Sequence, residues 1–144
     1  MRLCRKAAVG MPVRLAAVFL VLTLSIPFLV DSMERTETDM AAAELGDEIG
    51  RIADAASIVY FSGSGSSKTV QVDVPAGCEI RVGMESGDPY RITGYRGGVK
   101  VAEKCIESPA FPILGGAVLS GECLIVLENV ADGFGGRCVE VSSP

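Results

Sequence analysis

The spacing of apolar and polar positions changes twice along this chain, and each change marks a different element. Residues 15–30 (LAAVFLVLTLSIPFLV) are sixteen positions without one charge, a run apolar on every face of a helix. Between 42 and 59 the residues Ala42, Leu45, Ile49, Ile52, Ala56 and Val59 recur at intervals of 3, 4, 3, 4 and 3. That is one helical stripe, with acids on the remaining faces. No proline interrupts residues 31–61, and Gly46 and Gly50 stand alone. One helix is therefore expected from about residue 13 to about residue 61, near 70 Å long at about 1.5 Å per residue. Pro27 removes one backbone hydrogen bond and is expected to kink it. Asp31 with Arg35 and Asp47 with Arg51 form acid-first i,i+4 pairs that support the helix. The stripe spans too few turns to specify a coiled coil.

Beyond residues 62–68 (SGSGSSK), a Gly/Ser linker that ends the helix, the period becomes two. Residues 69–74 (TVQVDV) and 79–82 (EIRV) alternate around a turn at 75–77. Residues 90–93 and 99–102 flank a glycine-rich hairpin candidate at 94–98. Residues 123–127 (CLIVL) are apolar on both faces, which predicts a central strand covered on both sides, and 138–141 close the chain. A further strand is expected around 117–119. The fold class is α+β: a long N-terminal helix, transmembrane then amphipathic, followed by a small all-β head, a lollipop in outline. The segments are a basic leader (1–14), a transmembrane segment (15–30), an amphipathic stalk (31–61), the linker (62–68) and the β-rich head (69–144).

Charge orients this plan. Residues 1–14 carry +4, residues 31–60 carry −6, and residues 61–144 carry −3. Sixteen helical residues rise about 24 Å, which spans a bilayer core once Met11, Pro12 and Val13 extend the run and Arg14 reaches for the interface. Basic residues before the run and acids after it place the N-terminus in the cytoplasm and the head outside the cell, as a single-pass membrane protein bound to lipid through residues 15–30. The competing assignment is a cleaved secretory signal, but no A-x-A site closely follows Val30. The net charge of −5 argues against a nucleic-acid partner, which needs a basic surface.

Candidate chemistry is sparse. Histidine is absent, which removes Ser-His and Cys-His nucleophile pairs and HExxH zinc sites. Cys78, Cys105, Cys123 and Cys138 are disulfide candidates for a small extracellular head, with Cys78–Cys105 and Cys123–Cys138 favoured because each closes around an expected hairpin; free buried thiols are the alternative. No C-x2-C pair supports a metal, so none is expected, nor any cofactor. Residues 63–69 (GSGSSKT) imitate a phosphate loop but lack its two glycines and lead from helix to strand, the reverse of the required order. The acids of 31–54 lack a calcium-loop pattern. Carboxylates such as Glu122 and Glu128 form no marked acid–base pair, and no enzyme activity is expected.

The order of these segments resembles archaeal type IV pilin-like proteins with class III signal peptides. The matching residues are 15–30, the small-residue helix 41–60 (especially RIADAA at 51–56), GSG at 63–65, and VQVDVPAG at 70–77. The resemblance implies cleavage by a membrane peptidase, here between Ala7 and Ala8, followed by association of the freed helices with other pilin-like helices or with further copies, β-rich heads outward. The stripe from Ala42 to Val59 would then serve either the chain's own head or a neighbour's helix. In the second case Leu45→Asp or Ile49→Asp should abolish assembly while the head stays folded. Residues 11–14 (MPVR) interrupt the approach to the apolar run, and the glutamate often found early in the processed helix is missing. These departures fit a minor or accessory pilin-like surface protein better than a major subunit. The alternatives are a membrane-anchored extracellular binding module and a secreted, disulfide-stapled β domain.

Overall fold

The computed structural model describes residues 4–133 and 135–143, with side chains from Gly10 onward. The candidate processing site at Ala7 and Ala8, and Cys4, lie outside the described side chains. A long helix, α1 (Cys4–Ser62), precedes eight strands: β1 (Ser67–Val74), β2 (Cys78–Gly83), β3 (Arg91–Arg96), β4 (Val99–Cys105), β5 (Ile113–Leu114), β6 (Gly116–Leu119), β7 (Gly121–Ala131) and β8 (Arg137–Ser142). The protein is α+β. The chain divides into two compact units, Met1–Asp39 and Met40–Pro144. The head thus begins at Met40 and takes in the C-terminal part of α1, rather than beginning after the Gly/Ser segment.

The strands form two four-stranded sheets, ordered β1-β7-β8-β5 and β4-β3-β2-β6. All pairings are antiparallel except β5 with β8. Inward residues alternate as the period-two pattern requires: Val70, Val72 and Val74 on β1, Ile80 and Val82 on β2, Ile125 and Leu127 on β7, Val139 and Val141 on β8. β7 is central in its sheet, but only one of its faces is covered, because Leu124 is 48% exposed on the other. The chain switches sheets at Gly115 (φ +77), between β5 and β6, where a Cβ would lie 2.7 Å from the Val141 carbonyl oxygen. Only glycine turns that corner.

Residues 40–62 of α1 close the open side of this sandwich. On one flank Arg51 donates to the Gln71 carbonyl of β1 at 3.2 Å. On the other, Lys104 of β4 donates to Asp54 at 3.5 Å. Leu45, Ile49, Ile52 and Val59 point between the sheets and are at most 2% exposed. Small residues occupy the flanks, where backbones come close: Ala41, Ala53 and Ala55 are buried there. Gly94 of β3 belongs to the same contact, since a Cβ on it would stand 3.1 Å from Ile49 Cδ1 and 3.4 Å from Leu45 Cδ1.

The end of α1 is held by side chains from elsewhere. Asn129, an inward position of β7, donates through Nδ2 to the carbonyls of Val59 (3.1 Å) and Tyr60 (2.8 Å). Ser66 Oγ donates to Val59 as well, at 2.8 Å. These are carbonyls that a helix terminus leaves without an internal partner. Backbone bonds from Gly65 to Asn129 and from Asn129 to Ser66 anchor the Gly/Ser segment as an ordered turn. Phe111 stacks on Tyr60 with ring centroids 4.5 Å apart, which ties the connection before β5 to the same helix end. Asn129→Ala is expected to lower the stability of the head by about 1–3 kcal/mol, because it leaves the part-buried Tyr60 carbonyl without its donor, while Ser66 still reaches Val59. A lowered urea midpoint at unchanged slope would register this.

Candidate functional site

Two features of α1 carry the functional content, one in each unit. In the first unit the apolar run is bare around its whole circumference. Leu15, Phe19, Leu20, Leu24 and Phe28 are 61–77% exposed, and none of the apolar window is buried. The two hydroxyls inside it are turned back onto the helix: Thr23 Oγ1 donates to the Phe19 carbonyl and Ser25 Oγ to Val21, both at 2.7 Å. Thr36 and Thr38, beyond the run, bond back to Ser32 and Glu34 in the same way, so this bonding is a property of the helix and not of its surroundings. The α-helix continues through Pro12 and Pro27, so its start lies earlier than the apolar pattern marked. Immediately after the run Arg35 pairs with Asp31 at 2.9 Å, as expected from their spacing. By length and composition this helix is a candidate membrane span.

In the second unit the stripe is spent on the chain's own strands. Leu45, Ile49, Ile52, Ala56 and Val59 are buried and Ala42 is half-buried. A neighbouring helix cannot reach them without opening the head. The expectation that Leu45→Asp or Ile49→Asp would leave the head folded is thereby corrected. Arg51 also departs from its expected partner, pairing with Glu48 at 2.6 Å instead of Asp47. Glu48 is drawn toward β1, where its carboxylate accepts the Asp73 N–H at 3.4 Å.

All four head cysteines are free. Strand register closes the favoured pairing. Cys78 stands opposite Arg96 and Cys105 opposite Arg91. They are separated by five residues of β3, about 17 Å, where a disulfide needs Cα atoms within about 7 Å. Cys138 stands opposite Val130, seven residues along β7 from Cys123, about 23 Å away. A hairpin in sequence had suggested proximity, but both hairpins carry their cysteines at distant ladder positions. Burial pushes the thiols of Cys123 and Cys138 up, and the charges of Asp132 and Glu140 add to this at Cys138. Fewer thiolates form, so at pH 8 both should alkylate more slowly in the native chain than in urea. Without any reductant, all four should alkylate completely in urea, as peptide mapping would record.

The remaining described side chains of note lie on the head's surface. On the outer face of the second sheet Arg81 pairs with Glu79 at 2.5 Å and lies 4.5 Å over the Tyr95 ring. Beside it Arg91 bridges Asp88 and Glu103, and Lys100 also donates to Glu103. The Lys100 hydrogen bond, aided by the nearby cations, lowers the pKa of the Glu103 carboxyl. Glu122 and Glu128 lie six residues apart on β7, about 20 Å, too far to share a proton. Among the described residues no group of three or more Cys, Asp or Glu is placed to hold a metal. A shallow hollow lined by Glu44, Asp47, Glu48, Asp73 and Pro75 is acidic only. Comparison with protein-family models, with curated proteins and with solved structures finds no match.

Proposed function

We propose that this chain is a membrane-anchored, pilin-like surface protein, single-pass, with its N-terminus in the cytoplasm and its β-rich head outside. What supports this is a contrast along α1. Residues 15–30 expose large apolar side chains on every side, whereas the apolar stripe of residues 45–59 is wholly consumed inside the head. Apolar surface on that scale needs a non-aqueous environment, either lipid or other helices of the same kind. The four basic residues of the leader, against only Arg35 soon after the run, favour insertion with the N-terminus inside. Assembly with other pilin-like helices, or with further copies, runs through the bare segment and not through the stripe. The role is structural, and the head folds from its own residues.

Intact-mass measurement on native material, combined with carbonate extraction of membranes, tests this proposal. The expected result is a chain in the membrane pellet whose mass begins at Met1, or at Ala8 if the leader is cut. A soluble chain lacking residues 1–30 would overturn it. Chemical cross-linking of the pellet separates assembly from simple anchoring, since a ladder of multiples is expected only for assembly.

A further inference from the structure

The free edge of β1 is guarded over half its length and open over the other half. β1 borders its sheet, with β7 on one side. The Asn129 N–H donates to the Ser66 carbonyl, which sets the ladder so that even-numbered β1 residues bond to β7. The N–H and C=O groups of Thr69, Gln71 and Asp73 therefore point away from the sheet. Downstream, the Arg51–Glu48 pair covers this edge: Arg51 donates to Gln71 O, and Glu48 accepts from Asp73 N. Upstream, no described residue meets the backbone groups of Thr69 or the N–H of Gln71.

That open stretch forms one wall of a groove of about 330 Å³, with Ala55, Ile58, Val70 and Lys68 among its lining. Ile58 is 53% exposed there, although it belongs to a well-packed helix. The groove's charges are unevenly matched. Arg51 is paired with Glu48 and Asp54 with Lys104, while Lys68 has no ion-pair partner among the described residues. Unpaired strand edges are usually blunted by charge or cover, and here the cover stops at Gln71.

We propose that this edge captures an extended acidic peptide segment of a partner protein by strand addition. The peptide's backbone pairs with Thr69 and the Gln71 N–H. An aliphatic side chain settles on Ala55, Ile58 and Val70, and a carboxylate two residues later meets Lys68. The period of two places those side chains on the same face as Val70 and Lys68. A second copy of β1 suits the site less well. An antiparallel pair centred on Thr69 would set the two Lys68 ammonium groups across one short ladder. The inference concerns the head alone and stands apart from the membrane reading.

The test uses the full chain in detergent micelles and the peptide acetyl-Thr-Val-Thr-Glu-Thr-amide, followed by NMR. The expected result is shifted Thr69 and Gln71 amide signals that gain protection from hydrogen exchange. N-methylation of the central Thr should weaken binding about tenfold by deleting one backbone hydrogen bond. A Lys-for-Glu peptide should bind about fivefold more weakly, and Lys68→Glu should reverse that order. Absence of protection at millimolar peptide, equal binding of the N-methylated peptide, or indifference to Lys68→Glu would overturn the proposal. Protection that grows with protein concentration and no peptide would assign the edge to a second copy, and would also overturn it.

Discussion

Leu45→Asp is expected to unfold the head. Leu45 is fully buried, its Cδ1 lying 3.4 Å from where a Gly94 Cβ would stand, at the junction of α1 and β3. Truncating a buried leucine alone costs about 2–5 kcal/mol. A carboxylate adds the cost of burying a charge, and the total of about 5 kcal/mol or more rivals the stability of a small domain. Ile49→Asp should behave alike. The measurement is urea unfolding of the full chain in detergent, followed by near-ultraviolet dichroism of the stacked Tyr60 and Phe111 rings. Leu124→Asp, on the bare face of β7, is the control and should leave the midpoint almost unchanged. If Leu45→Asp kept a cooperative transition at the original midpoint, the stripe would not be core.

Much of this architecture is legible in the order of residues because it rests on local periodicity. The stripe at 3,4 spacing and the alternation at 69–74 each name their element, and α1 ends at Ser62, where the Gly/Ser run begins. What periodicity cannot supply is the identity of the surface that covers a face. The stripe's spacing also permits packing on a neighbour's helix; only the gap between the β1 and β4 edges shows which surface takes it. Cysteine spacing failed for a related reason, since closeness along a hairpin says nothing of ladder position. β5 escaped notice because two residues, Ile113 and Leu114, carry no period. Asn129 was missed as well, yet a signal existed: it is the one amide at an inward position of β7, following Ile125 and Leu127 by steps of two. Such a residue needs partners, and the end of α1 provides them for its Nδ2, while the buried Oδ1 has none among the described residues. The open edge of β1 has no sequence signature, because it depends on how far Arg51 and Glu48 reach.

On the anchoring proposed above, charging the centre of the apolar run should detach the chain from the membrane without disturbing the head. Leu20 and Leu24 are 64% and 61% exposed and belong to the first unit, whereas the head begins at Met40. An arginine near the middle of a membrane helix disfavours insertion by about 2.5–3.5 kcal/mol on the insertion scale, so Leu20→Arg with Leu24→Arg should cost about 5–7 kcal/mol. Sixteen uncharged residues provide little surplus against that, because the run is already slightly shorter than the bilayer core. Carbonate extraction should then find the double variant in the supernatant, or aggregated outside the membrane, while the parent stays in the pellet. Arginines long enough to snorkel could rescue a single substitution, which is why two are required. Hydrogen-exchange protection of β7 and β8 should match the parent's, since β7 pairs with β1 and β8, and β8 with β5. Retention of the double variant in the pellet, with the head intact, would mean that something other than the apolar run holds this protein at the membrane.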